Sequence, residues 1–275
     1  MRFTVDLSQS GIPSEYWPQY QRAVTALLQQ LSLRPELRLI AISGAQGCGK
    51  STLAAVLVNA LQQLGCRAAA VSLDDYYFAK QQRQQLAQQV HPWLAQRGVP
   101  GTHDIASAIR DAEAVLTGQP VSLPCFSKAL DDVLPQRPLQ QLDVLIVEGW
   151  CLGCPPQPAS QLQRAVNRQE QQLDADGRWR RYVNQQLAGP YQRYFQFIQY
   201  LLYLQAPDWQ AVCRWRQQQE EKLWQAQGQG MTTTELAHFM ASFQRLTEYG
   251  WQQLPQLADV CWQLDQQQRI LPIPA

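Results

Sequence analysis

Apolar residues in this chain fall into two patterns, short solid runs and helical stripes. The solid runs lie at 37–42, 68–73, 144–147, 200–204 and 260–264. Runs this short, rich in Leu, Ile and Val, predict strands buried on both faces. Between them the spacing turns helical. Leu53, Val56, Leu57, Ala60, Leu61 and Leu64 share one face and end at Gly65. Further helices are predicted over 105–116, stopping at Gly118, and over 208–224. A capping box, Thr232-x-x-Glu235, opens another that carries Leu236, Phe239, Met240 and Phe243. Strands alternating with helices predict an α/β fold with a doubly wound, parallel, five-stranded sheet. It should occupy residues 37–275. Residues 1–36 read as an N-terminal extension with a helix over about 20–31. Residues 155–190 are rich in Pro, Arg and Gln, poorly periodic at first and then helical, and belong to an insert of about 155–230.

The first run leads into Gly44-Ala45-Gln46-Gly47-Cys48-Gly49-Lys50-Ser51, followed by Thr52. The spacing G-x-x-x-x-G-K-S between a strand and a helix is that of a phosphate-binding loop. Glycines let the backbone wrap with its N–H groups inward, where side chains would collide with phosphate oxygens. The helix N-terminus adds a favourable field for an anion. Residues 44–52 are therefore expected to bind the nucleotide. Lys50 can reach the β- and γ-phosphates, and the Ser51 hydroxyl can hold Mg²⁺.

Composition narrows the partners. The 275 residues carry a net charge of +1 and only 16% charged residues, with no acidic or basic block. That gives no case for nucleic acid or an anionic membrane. Glutamine, roughly one residue in six, replaces charge on helix surfaces interleaved with apolar positions. No apolar run reaches the length of a membrane span and the N-terminus lacks a signal-peptide shape. Seven cysteines, an odd count, argue for reduced thiols and the cytoplasm. Cys151 and Cys154 form a C-x-x-C without a second pair to complete a zinc site. Composition leaves a monomer or homodimer open; that the partner is a small molecule bearing a hydroxyl is implied by the segments and the resemblance described next.

In doubly wound sheets ligands bind beyond the carboxyl ends of the strands, and three predicted strands end in reactive residues. The first ends in the phosphate loop, the second in Asp74-Asp75, the third in Glu148. Glu148 can hold Mg²⁺ opposite Ser51; its plainer reading is a carboxylate that caps a loop. Asp74 is the better candidate base for an attacking hydroxyl, with a helix N-cap as its plainer alternative, whereas Asp75 reads first as an N-cap. His103 and Asp104, in the turn-rich 98–104 segment, suit substrate recognition, and Asp104 also suits the N-cap of the next helix. Lys128 could bind an anionic substrate or stay solvated. Arg214 and Arg216 follow the fourth strand, where a lid could bring a guanidinium onto the transferring phosphate. Arg178, Arg180 and Arg181 read as a solvated face.

The order of these segments resembles the D-glycerate 3-kinase family of plants, fungi and bacteria. The resemblance rests on residues 44–51, Ser-Leu-Asp-Asp-Tyr-Tyr at 72–77, Gly-x-Pro-Gly-Thr-His-Asp at 98–104, Phe-Ser-Lys-Ala-x-Asp-Asp at 126–132 and Leu-Ile-Val-Glu-Gly-Trp-x-Leu-Gly at 145–153. Tyr182-Val183-Asn184, Trp215-Arg216-x-Gln218-Gln219-Glu220 and Gly230-Met231-Thr232 extend it to about residues 37–265. This family is similar to uridine kinases, phosphoribulokinases and bacterial pantothenate kinases. The resemblance implies a P-loop kinase with a helical lid that transfers the γ-phosphate of ATP, with Mg²⁺, to D-glycerate. By it, Lys50, Asp74 and Arg216 are catalytic, and Ser51 and Glu148 hold the metal. Tyr76, His103, Asp104 and Lys128 then lie on the substrate side. Relatives often carry an arginine after the Lys-x-x-Asp-Asp segment, where this chain has Val133. Other acceptors on the same scaffold, uridine or pantothenate, form a second reading. A third is a nucleotide-gated module in which ATP drives a conformational change.

Overall fold

The computed structural model describes residues 5–271 except 9 and 229. The outer ends of the two expected segments, at 1 and 275, lie outside the described residues. Helix α1 (Trp17–Ser32) precedes β1 (Leu39–Gly44), α2 (Lys50–Gln63), β2 (Ala68–Ser72), α3 (Lys80–Gln89) and α4 (Ile105–Leu116). Two short strands follow, β3 (Cys125–Ser127) and β4 (Asp132–Leu134), then β5 (Val144–Gly149). Helices α5 (Arg168–Leu173), α6 (Arg178–Gln186) and α7 (Gln192–Phe195) lead to β6 (Tyr200–Gln205), α8 (Trp209–Gln227), α9 (Thr233–Leu257) and β7 (Val260–Gln263).

The five expected strands pair in the order β2-β5-β1-β6-β7, all parallel. Every residue of β1 and β5 is buried, which is why these strands read as solid apolar runs rather than alternating ones. Helix α1 adds Val24, Leu27 and Leu28 to the same core. Register fixes the site. Glu148 on β5 lies between Ile42 of β1 and Ser72 of β2, so three strand ends stop at one level. Antiparallel β3 and β4 form a separate hairpin with Phe126 opposite Val133. The sequence pattern missed this hairpin, because each strand has only three residues and Val133 and Leu134 are exposed.

The insert holds a second surprise. Arg180 is buried rather than solvated, bound to Asp174 at 3.2 Å. Beside it Arg245 of α9 binds the fully buried Glu170 of α5 at 2.6 Å. Ions this deep are tolerated only when paired and hydrogen-bonded, and the Arg245 side chain also donates to the carbonyls of Gln161 and Arg164. The network fastens α5 and α6 to α9. Among the described residues no helix is long and apolar enough to cross a membrane.

Candidate active site

The phosphate loop is shaped by contact with α8. Gly47 has φ +79°, and a Cβ there would lie 2.6 Å from the Trp215 Cβ. Only glycine allows both the left-handed backbone and that approach. Cys48 is buried, and its sulfur sits behind Gly44, where an added Cβ would meet it at 2.7 Å. Its side chain thus fills the back of the loop, and burial pushes its thiol pKa up. Lys50 heads α2 and folds its Nζ onto the Ala45 carbonyl at 3.0 Å. The Ser51 hydroxyl donates to Glu148 Oε1 at 2.7 Å. The loop serine and the β5 carboxylate therefore meet directly.

The turn after β2 separates its two aspartates. Asp75 faces inward as a cap. It accepts the Ser72 N–H at 3.1 Å and the Phe126 N–H at 3.3 Å, and pairs with Arg137 at 3.1 Å. Asp74 faces the cleft, where it accepts the Tyr77 hydroxyl at 2.8 Å and pairs with Lys128 at 2.7 Å. Burial pushes the Asp74 carboxyl up. The Lys128 charge and hydrogen bond, with His103 and Tyr77, outweigh that and hold it at about 2. The same pair raises Lys128.

The 98–104 segment is laced to this turn. Phe78 N–H donates to the Thr102 carbonyl at 2.9 Å, and Asp104 N–H to the Tyr76 carbonyl at 2.7 Å. His103 is buried, stacks on Tyr77 at 4.3 Å, and sets Nδ1 2.5 Å from the Tyr191 hydroxyl. Burial pushes its pKa down to about 4. His103 Nε2 is buried without a hydrogen-bond partner. Asp104 caps α4 through Ser107, accepting its N–H at 3.0 Å. The Tyr76 hydroxyl donates to Asp111 at 2.9 Å. These two side chains are engaged away from the cleft, unlike Asp74 and Lys128. Asp104 carries the local capping pattern, which competes with any substrate role for its oxygens.

A cleft of about 160 Å³ opens at the sheet's carboxyl edge, with Lys50, Ser51, Asp74, Lys128, Glu148 and Arg216 on its walls; Tyr76, His103 and Asp104 lie behind it and do not line it. Arg216 projects from α8 and pairs with Glu220 at 2.6 Å. Glu220 also accepts the Met231 N–H at 2.7 Å. This joins the Trp215–Glu220 and Gly230–Thr232 segments into one unit. Arg214 instead turns outward to Gln266. A larger cavity of about 660 Å³ opens on the other side of the loop, between Tyr16, Tyr20, Trp215 and Gln266–Gln268. Sequence reasoning missed this wall, which comes from the N-terminal segment and the C-terminal loop. It also missed Arg97, which lines the cleft. Val133 is half exposed across from Phe126, and two guanidiniums lie over that ring, Arg97 at 5.7 Å and Arg83 at 5.9 Å from its centroid. Cys151 and Cys154 are both buried free thiols, pushed up in pKa by burial, Cys154 to about 12.

A phosphate loop opening α2, a carboxylate at the end of β5 and an arginine-bearing α8 over the same cleft define a P-loop kinase, an ATP-dependent phosphotransferase. Comparison with known proteins narrows the class. The chain is 32% identical over 223 residues to an uncharacterized kinase, mug58, of Schizosaccharomyces pombe, covering 75% of this chain and 79% of that protein. It is 27% identical over 219 residues to the chloroplastic D-glycerate 3-kinase of Arabidopsis thaliana, covering 74% of this chain but spanning only 46% of the plant protein. Its fold matches that of D-glycerate 3-kinase from Cryptococcus neoformans var. grubii with a TM-score of 0.77 at 23% identity, covering 92% of this chain and 98% of that one. A family model described as Nephrocystin 3, N-terminal, matches residues 22–119, which include the phosphate loop. The chain belongs to the kinase family of mug58, and its similarity extends to the D-glycerate 3-kinases.

Proposed function

We propose that the protein transfers the γ-phosphate of ATP to a hydroxyl of D-glycerate. The observation that carries this reading is the convergence, in one cleft, of the Lys50–Ser51 loop end with the Asp74–Lys128 pair. A nucleotide switch needs the first and has no use for the second. Backbone N–H groups of residues 44–52 would cradle the phosphates, and Lys50 would exchange its Ala45 carbonyl for phosphate oxygen. The base and ribose would lie in the larger cavity beside Tyr16, Tyr20 and Gln266–Gln268.

The oxygens of Ser51 and Glu148 suit Mg²⁺, a hard cation that takes one or two protein oxygens and completes its shell with phosphate and water. Among the described residues no group of three His, Cys, Asp or Glu side chains stands ready for a metal, so the nucleotide would supply the remaining ligands. When bound, the ion would neutralise charge on the β- and γ-phosphates.

Asp74 would orient the attacking hydroxyl. With its pKa near 2 it is a weak proton acceptor while Lys128 is paired to it. An anionic acceptor that draws Lys128 toward itself would relax that depression and strengthen Asp74 as a base. A loose phosphoryl-transfer transition state asks mainly for orientation until late in the reaction. Arg216 would meet charge on the transferring group, and α8 with the connection to α9, the part of the 155–230 insert beyond the core strand β6, would act as a lid that excludes water. His103 would hold Tyr77, and through it Asp74, in place. The seven free thiols suit a reducing compartment such as the cytoplasm.

The test is a screen of hydroxyl acceptors by coupled ADP release. Turnover that rises with D-glycerate and stays at the background level with uridine and pantothenate is expected. Phosphorylation of either of those with none of D-glycerate would keep the kinase and discard the acceptor. ATP hydrolysis insensitive to every acceptor would favour the nucleotide-gated module.

A further inference from the structure

Arg97 stands in the cleft although no motif announces it. It lies between a short 3-10 turn, Pro92–Ala95, and the 98–104 segment. Its side chain is 16% exposed. The guanidinium pairs with Asp131 through Nη1 and donates weakly to the Lys128 carbonyl through Nη2 at 3.3 Å. Asp131 pairs at the same time with Arg83, at 2.9 Å.

The two arginines are not equivalent. Arg83 is 1% exposed and spends its donors on the carbonyls of Phe78, Ala95 and Asp131 at 3.1, 3.0 and 2.8 Å. It is structural. Arg97 has five N–H donors and commits only two contacts. One carboxylate thus serves two guanidiniums. Asp132 shares the charge of Arg83 and takes none of the Arg97 donors, and Asp74 is paired with Lys128, so Arg97 keeps N–H groups uncommitted in the cleft.

The position is built rather than incidental. Gly98, next in the chain, has φ +139°, and a Cβ there would lie 2.3 Å from the Phe243 ring. Its carbonyl accepts the Trp150 indole N–H at 2.9 Å. On the other side Asp131 holds a left-handed φ of 54°, a conformation uncommon outside glycine that a surrounding structure must enforce. The backbone on both sides of the Arg97–Asp131 pair is therefore fixed.

We propose that Arg97 is the specificity-determining residue that recognises the acceptor's carboxylate, selecting a small hydroxy acid over a neutral alcohol. This rests on the phosphotransfer reading above. A planar guanidinium matches the two oxygens of a carboxylate with parallel hydrogen bonds, whereas Lys128, even when drawn from Asp74 by the acceptor, adds a point charge without that fork.

The experiment is steady-state kinetics of the wild type, Arg97→Met and Arg97→Lys with D-glycerate and with glycerol, its neutral counterpart, at saturating MgATP. For Arg97→Met the KM for D-glycerate should rise about 10- to 100-fold, the range for losing a hydrogen bond to a charged group. The ATP KM should move far less, and the preference for acid over neutral acceptor should collapse by a similar factor. Arg97→Lys should recover part of the loss, because it restores charge without the fork. Thermal unfolding accompanies each variant. If Arg97→Met does not fold, Arg97→Lys carries the test, since it keeps a cation beside Asp131; an unchanged D-glycerate KM in it overturns the inference. A folded Arg97→Met with unchanged D-glycerate KM overturns it too and leaves the kinase reading standing. A wild type that phosphorylates glycerol and no hydroxy acid overturns the inference together with D-glycerate as acceptor, and leaves the phosphotransfer itself standing.

Discussion

Asp74→Asn isolates the chemistry of the cleft from its architecture. The substitution keeps shape and one acceptor oxygen but loses the charge that holds Lys128. Two partners feel it. Lys128 is 65% exposed, so the lost ion pair is worth only about 0–1 kcal/mol of stability. Tyr77 is buried and its hydroxyl keeps an amide oxygen in place of a carboxylate, a loss of about 1 kcal/mol. The fold should therefore weaken by about 1–2 kcal/mol. The rate should suffer far more. Losing the orienting carboxylate should cost about 10²- to 10⁴-fold in kcat, or about 3–5 kcal/mol of barrier.

Asp75→Asn supplies the contrast. Asp75 accepts two backbone N–H groups and an arginine, so its loss should cost stability, about 1–3 kcal/mol, and little kcat. The assay is initial rates of ADP release at saturating ATP and D-glycerate, with thermal unfolding of both variants. Acid sharpens the distinction. The Asp74 pKa is depressed from 3.8 to about 2, so its stabilising contribution is complete above pH 3.8 and is lost as pH falls through about 2. It adds no acid limb to the rate near neutrality. A greater loss of kcat in Asp75→Asn than in Asp74→Asn would refute the assignment.

Three further outcomes follow from the geometry. Lys50→Ala should abolish nearly all activity and leave the melting temperature close to wild type, because its contact within the protein is the single bond to Ala45; undiminished turnover at saturating MgATP would rule out the phosphate loop as the site. Arg216→Ala should lower kcat more than it raises the ATP KM, since the guanidinium is proposed to meet charge that grows in the transition state; a change confined to stability would reduce Arg216 to a partner of Glu220. His103 is held neutral, with a pKa of about 4 against an ordinary 6.5, so the unfolded chain binds the extra proton between those values. Stability should fall across that window as pH drops, by about 3 kcal/mol in total, and His103→Gln should flatten melting temperature against pH; an identical slope in the variant would mean the imidazole charges in the folded state.

The sheet was legible because strands buried on both faces leave solid apolar runs, and the phosphate loop because its residues are contiguous. What the sequence hid depends on contacts between distant positions. A local exception is Leu37, which belongs to the apolar run yet stands outside β1, because its N–H closes a turn onto the Arg34 carbonyl at 3.1 Å instead of joining a strand. Arg180 looks solvated beside Arg178 and Arg181, but Asp174 and the Glu170–Arg245 pair meet it inside. Arg97 is defined by Asp131, 34 residues later, and by a ring on a hairpin too short to show periodicity. Asp104 carries a capping signature and a functional motif at once, and local sequence has no means of choosing between them.

The arrangement also bears on why phosphate would reach a metabolite rather than water. Helix α8 touches the nucleotide side twice, with Trp215 against Gly47 and Arg216 in the cleft. Glu220 on the same helix holds both Arg216 and the Met231 N–H, just ahead of α9. From α9, Phe243 packs edge-on against Trp150 at 4.9 Å and closes over Gly98, beside Arg97. On the proposed reading, a movement of α8 toward bound nucleotide would pass through Glu220 to α9 and press Phe243 against the fixed Gly98 backbone, closing the cleft over an Arg97 already in position. Packed interfaces of this kind shift between discrete arrangements more readily than they deform. Arg216 would reach its phosphate in that closing step, and water admitted to a half-assembled cleft would find neither the γ-phosphate neutralised nor Asp74 released from Lys128.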